Sequence, residues 1–322
     1  MKQLTQKSAN LFCDFFKDRL DASTYPLGTM SKTSLVLLLI LSSLTSTNAD
    51  SPVAKGEQVE PLASGFITVE GPLYDRKGSL YFTDIPNEHI WKLNVKTLEK
   101  SLFRDQTGGA NGLAFDSKGR LLMCKQREKT LARLEPDGSE TVLLRPTRIR
   151  TGKPPVRVGV NDVVVDRQGR IYVTVPGAGS IYRLAANGSN PVAIITGLRG
   201  PNGLMLSPDE TRLYVSEYKE QRLHVFDINA ETGAAANKRF FAKVEPTSDY
   251  GCDGMTVDAA GNLYCAGPHA VRVWSPQGKL LAEIAVPESP TNCTFAGPGS
   301  DVLYITGRKS VYRIQVNAKG VR

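Results

Sequence analysis

At 322 residues the chain can bury a large core as one domain or two, and 41% hydrophobic against 22% charged residues is ordinary for a soluble globular protein. The formal charge of +8 is scattered along the chain rather than gathered in blocks. Neither a basic stripe nor a recognisable module accompanies it, so nucleic acid is excluded as the expected partner.

Residues 1–29 are polar and featureless and read as an upstream extension set by the choice of gene start. From Met30 the pattern changes. Lys32 precedes an apolar run from Leu35 to Leu41, and the small residues Thr47 and Ala49 stand before Asp50. Residues 30–49 therefore read as a secretory signal peptide with an A-x-A-like cleavage site. The run is too short to span a bilayer comfortably. The expectation is an exported protein, periplasmic or extracellular, with no stable membrane span once the signal is removed. A long n-region or an uncleaved anchor is the alternative.

Beyond Asp50, six segments lie under one another: "EGPLYDRKGSLYFTD" from Glu70, "NGLAFDSKGRLLMCK" from Asn111, "NDVVVDRQGRIYVTV" from Asn161, "NGLMLSPDETRLYVSE" from Asn202, "DGMTVDAAGNLYCAG" from Asp253 and "NCTFAGPGSDVLYITG" from Asn292. Their starts are 41, 50, 41, 51 and 39 residues apart, a propeller-like period with about four strands per unit. Within each unit a short apolar strand runs into Asp-x-x-Gly or a relative of it, and a β-rich strand returns. Asp75, Asp116, Asp166 and Asp258 thus read as turn residues. Further strands follow, such as "HIWKLNV", "SIYRLA" and "SVYRIQV". No convincing amphipathic helix intervenes. The fold class expected is all-β, a six-bladed β-propeller over residues 60–320 with a central metal site. The stretches "RPTRIRTGKPPVRVGV" and "NAETGAAANKRFFAKVEPTSDYG" read as loop-like inserts. Cys124, Cys252, Cys265 and Cys293 lie on or beside apolar strands without a C-x-x-C pair, so they read as small core residues, although export would permit disulfides.

Each unit's first residue lies one short strand from its turn, so it stands at the opposite end of that strand. With equivalent blades, Glu70, Asn111, Asn161, Asn202, Asp253 and Asn292 share one end of the propeller near its axis. Carboxylate and amide oxygens are hard donors that suit Ca²⁺ or Mg²⁺. Zinc is disfavoured, because none of the three histidines, His89, His224 and His269, belongs to this set. The competing reading is that Asn-Gly and Asp-Gly recur only as turn dipeptides.

The segments "EGPLYDRKGSLYFTDI", "NDVVVDRQGRIYVT", "GPNGLMLSPDETRLYVSE", "DGMTVDAAGNLYCAG" and "PTNCTFAGPGSDVLYITG" resemble, in order, those of the senescence marker protein/gluconolactonase family of calcium-dependent lactonases. The resemblance runs from Glu70 to Ile314. It implies a six-bladed propeller with one divalent ion in the central channel, most often Ca²⁺, with Mg²⁺, Mn²⁺ or Zn²⁺ as alternatives. It implies Glu70, Asn202 and Asp253 as metal ligands, Asn161 as a further ligand or a substrate contact, and Asp253 as the general base. Many bacterial members read N-S-P-N-D where this chain has Arg157-Val-Gly-Val-Asn-Asp162, F-T-D-P where it has Val173-Thr-Val-Pro176, and C-E-H where it has Cys124-Lys125-Gln126. The substrate-contacting rim therefore differs, and gluconolactone itself is not to be assumed.

The function expected is a metal-dependent lactonase opening a sugar-type lactone to the hydroxy acid. Asn111 and Asn161 would orient the substrate. Arg157, in the insert before Asn161, would meet a sugar hydroxyl or an acidic product, unless it is simply a solvated loop arginine. One tension is built in, since coordination lowers the basicity of the carboxylate that must act as base. Two other readings stay open: a binding propeller that holds its ion as a plug without turnover, and a phosphotriesterase or strictosidine synthase-like activity on the same ring.

Overall fold

The computed structural model describes residues 51–53, 56–150, 153–244 and 251–321. The upstream extension and signal peptide expected at 1–29 and 30–49 lie outside the described residues. Each repeat folds as a meander of antiparallel strands. In the third, Val163–Val165, Ile171–Val175, Ser180–Leu184 and Val192–Ile195 pair in that order. Six such four-stranded sheets, blades I to VI, make the six-bladed propeller. Their innermost strands are Val69–Tyr74, Ala110–Phe115, Val163–Val165, Pro201–Leu206, Met255–Val257 and Pro290–Ala296.

The first three blades show why the turns recur. Asp116 Oδ1 accepts the backbone N–H groups of Lys118 and Arg120, both at 2.9 Å, and Gly119 takes the left-handed conformation with φ +75°. Asp75 does the same for Lys77 and Ser79, and Asp166 for Arg170. In blades III and V a buried tyrosine on the next strand adds its hydroxyl, Tyr172 to Asp166 and Tyr264 to Asp258. The turn role expected of these aspartates holds.

The blades are held together by apolar layers, one between each neighbouring pair. Leu122 and Cys124 of blade II meet Val163 and Val173 of blade III, and Tyr264 and Val273 of blade V meet Cys293 and Leu303 of blade VI. All four cysteines of the described residues are buried and unpaired, as small core residues should be. Blade VI closes the circle: its outermost strand is Glu60–Ser64, paired antiparallel with Ser310–Gln315 in the register Glu60↔Arg313.

Both inserts depart from the loop reading. Part of the first is a two-stranded hairpin, Thr147–Arg150 with Lys153–Arg157, in a sheet of its own. Pro154 and Pro155 argue against a strand inside a larger sheet, but a two-stranded ribbon has an open edge on each side and tolerates them. The second insert contains Ala235–Lys243, the nine-residue outer strand of blade IV. Its sequence is charged and alanine-rich because most of it faces solvent.

Candidate functional site

The inner strands begin at one end of the propeller, and their first residues close into a ring, one contact per blade junction. Asn292 Nδ2 of blade VI donates to Glu70 Oε2 of blade I at 3.1 Å. Gly71 lies so close to the Asn111 carbonyl that a Cβ there would overlap it, and Thr83 Oγ1 donates to that same carbonyl at 3.2 Å. Gly112 N–H donates to the Asn161 carbonyl at 2.9 Å. The Asp162 carboxylate accepts the Leu204 N–H across the next junction. Asn202 donates a side-chain hydrogen bond to Asp253, and Gly254 N–H donates to the Thr291 carbonyl at 2.8 Å. The hydroxyls of Thr83, Thr174, Ser216 and Thr306 on the second strands brace the backbone of the ring from outside.

The structure therefore brings together Glu70, Asn111, Asn161, Asn202, Asp253 and Asn292. Glu70, Asn111, Asn161 and Asn292 are buried, and Asn202 and Asp253 are partly so. Arg157 is not drawn in. It stands exposed at the base of the Thr147–Arg157 hairpin and has no hydrogen bond or ion pair to a ring residue among the described residues. The histidines also stay outside: His89 packs edge-on to Trp91, His224 pairs with Glu217 at 2.7 Å, and His269 is exposed in a turn.

Two features escape the reading of the ring as six first residues. The first is a third carboxylate, Asp162. It occupies the position that is glycine in four other blades, at Gly71, Gly112, Gly203 and Gly254. The second is the direction of the Asn292 amide. Its oxygen accepts the Cys293 N–H at 2.8 Å, while its nitrogen donates to Glu70 and the amide also bonds Asp162. Asn292 is thus a strap between two carboxylates and not an oxygen donor to the axis. An aspartate breaking a run of glycines was the signal available for the first; nothing in an asparagine codon signals the second.

The electrostatics follow from burial. Desolvation, then the charges of Asp253 and Asp162, push the Glu70 carboxyl well above its ordinary range. Burial followed by Asp162 pushes Asp253 up to about 8, against the opposing pull of Arg308 and of the Gly254 and Asn202 hydrogen bonds. Burial likewise raises Asp162 to about 7. Asp253 Oδ1 is sealed from solvent and has no hydrogen-bond partner. An orphaned carboxyl oxygen buried beside two other acids whose ionised forms are disfavoured is an arrangement that a hard divalent cation would relieve. Among the described residues, no three His, Cys, Asp or Glu side chains gather closely enough to hold a metal by themselves. Amide oxygens would be needed too, and Asn161 and Asn202 are the ring residues that could supply them. The donor set fits a cation of the Ca²⁺ or Mg²⁺ kind better than zinc.

A cavity of about 970 Å³ runs along the inner strands. Its walls include the turn residues Arg76, Ser117, Arg167 and Pro208. Of the side chains described above, only Asp162 and Asn292 reach it from the ring. The unpartnered Asp253 oxygen, rather than this cavity, makes the ring the candidate site.

The family described as "SMP-30/Gluconolactonase/LRE-like region" matches residues 68–309. A gluconolactonase of Zymomonas mobilis is 24% identical over 312 residues, covering 85% of this chain and 86% of the relative. A pentonolactonase of Haloferax volcanii is 29% identical over 248 residues, covering 74% and 80%. Among solved structures, a gluconolactonase of Xanthomonas campestris is similar with a TM-score of 0.72 at 27% identity, covering 83% of this chain and 91% of that one.

Proposed function

Because the chain belongs to the SMP-30/gluconolactonase/LRE-like family and is a lactone-hydrolysing enzyme, we propose that it opens a sugar-type lactone to the hydroxy acid at the ring, with a divalent cation, most readily Ca²⁺, as cofactor. The observation that carries this reading is Asp253 Oδ1, sealed and unpartnered beside Glu70 and Asp162. Glu70, Asn161, Asn202 and Asp253 would hold the ion, which would polarise the lactone carbonyl and stabilise the developing oxyanion.

The chain's own groups do the rest. Asn111, beside Glu70 in the ring, orients the sugar ring by its amide, and Asn161 has the same duty if it is not a ligand. Asp253 takes a proton from the attacking water. The water oxygen bonds to the carbonyl carbon, the ring C–O bond breaks, and the proton returns to the leaving alkoxide. Two demands meet on Asp253, ligation and basicity. Its two oxygens allow a division of labour, and burial already raises its proton affinity. Arg157 is assigned the outer rim, where it meets an acidic product as it leaves.

The test uses ion-stripped protein and follows proton release from aldono-1,4- and 1,5-lactones and from aliphatic lactones, with Ca²⁺, Mg²⁺, Mn²⁺ or Zn²⁺ restored singly. Sugar lactones should open only when an ion is returned. Hydrolysis that ignores the ion would overturn the cofactor assignment, and turnover confined to aliphatic lactones would overturn the substrate class. Export is proposed on the signal-like segment alone, and N-terminal sequencing of the mature protein should then begin at Asp50.

A further inference from the structure

We propose that Asp162 is a positioning residue of the ring: strapped to Glu70 through Asn292, it orients the Glu70 carboxylate and adds a third negative charge beside the cation seat without itself being a ligand. The inference rests on the cation-dependent reading above and deepens it.

Three observations carry it. First, the position is otherwise reserved for a residue without a charge: four blades have glycine there and blade VI has Cys293. Room for the carboxylate is made by Gly112, where any Cβ would overlap Asp162. Second, its hydrogen bonds are already taken. Asp162 Oδ1 accepts the Val163 N–H at 2.9 Å, and the carboxylate also accepts from the Leu204 N–H and the Asn292 amide. A carboxylate that binds the Val163 N–H and is stabilised by the Leu204 N–H and the Asn292 amide is less free to ligate than Asp253 with its unpartnered oxygen. Third, the Asn292 amide that reaches Asp162 also donates to Glu70 Oε2 at 3.1 Å. Blades III, VI and I are therefore linked by one carboxylate–amide–carboxylate strap. A turn of the Asn292 amide would move both acids together.

With Glu70 and Asp253, Asp162 brings three carboxylates to a seat for a doubly charged ion. At separations of a few ångströms such a charge strongly favours the cation even when it makes no bond to it. The same charge repels its neighbours when no cation is there.

The test is calorimetric titration of the ion-stripped full chain with CaCl₂, comparing wild type, Asp162→Asn and Asp162→Gly. Asparagine keeps the shape and removes the charge; glycine is the residue that four blades already accept. Both variants should bind Ca²⁺ about tenfold more weakly, or worse. Asn292→Ala should also weaken binding, and combined with Asp162→Asn it should lose less than the sum of the two single losses, because both act through one strap. Asp162→Asn binding within twofold of wild type would overturn the inference, since only a structural acceptor would then be at stake. Full additivity in the cycle would overturn the strap. Wild type binding no divalent ion would instead sink the cation-dependent reading itself, a result distinct from either.

Discussion

The two ends of the same inner strands treat acidic residues in opposite ways. At the turn end, Asp75, Asp116 and Asp166 each receive backbone N–H groups, and Asp116 and Asp166 add an arginine, Arg120 and Arg170. At the ring end, burial raises the proton affinity of Glu70, Asp162 and Asp253, the charge of Asp162 raises that of the other two further, and Asp253 Oδ1 has no donor at all. The same side chains build structure where an arginine or backbone N–H groups meet them near solvent, and favour the protonated form where burial dominates. The decisive variable is the balance of partners against burial rather than location. Glu217 ends the strand Arg212–Glu217 on the ring side, yet it accepts the Arg199 N–H at 2.6 Å and pairs with His224 and Lys238.

The sharpest break of this contrast is a matched pair of substitutions. Asp253→Asn should lower kcat/KM for the responsive lactone by about 10²–10⁴-fold, the usual worth of a positioned acid–base group. Asp166→Asn, at the turn end, should leave kcat/KM within about threefold while lowering thermal stability. Equal losses in steady-state assays would erase the distinction. Ion removal comes next. If the ring is the cation seat, Ca²⁺ at a hundredfold its Kd should add about 2.7 kcal/mol of stability. That corresponds to roughly 5–10 °C in Tm for a domain of this size. Thermal melts with chelator and with Ca²⁺ measure it, and coincident curves would contradict it.

A third comparison concerns close approach. A Cβ on Gly254 would overlap the Asn292 side chain, whereas one on Gly119 meets nothing within 4 Å. Gly254→Ala should cost about 1–3 kcal/mol, by overpacking and by displacing the Glu70 strap. Gly119→Ala should cost about 1 kcal/mol through its positive φ alone. Denaturant unfolding of both variants separates the two.

The smallest effect is expected at Glu217. Burial alone would raise its carboxyl pKa; the Arg199 N–H, Lys238 and His224 outweigh burial and hold it below the ordinary value. A depressed folded-state pKa gives stability that is present above the unfolded value of about 4.3 and lost as pH falls through the folded one. Partial exposure screens the pairs, so Glu217→Gln should cost no more than about 1 kcal/mol near neutrality. The difference from wild type should shrink as pH falls through the folded-state value. Melts across pH 3–7 check this, and a gap that persists in acid would refute it.

The propeller was legible because its evidence is periodic. Six turns of one chemistry at one spacing leave little freedom, and the aspartates that make them act within five residues of themselves. The ring was legible only as a set of first residues. Asp162 stood beside Asn161 in plain view, but its meaning depends on what the other blades place at that position and on Leu204 and Asn292 from other units. The direction of the Asn292 amide depends on two carboxylates, one of them more than two hundred residues earlier in the chain. The Thr147–Arg157 hairpin was hidden for a different reason. Its two prolines are strand-breakers in a full sheet and harmless in a ribbon with open edges.

The clasp of blade VI bears on the order in which this enzyme becomes competent. Glu60–Ser64 leaves the ribosome long before Ser310–Gln315, its one partner strand among the described residues. Glu70 likewise waits for Asn292. A chain stopped short of blade VI would keep at most five sets of strands and have neither clasp nor strap. The geometry of the Glu70 carboxylate is therefore complete only once the last blade has been made.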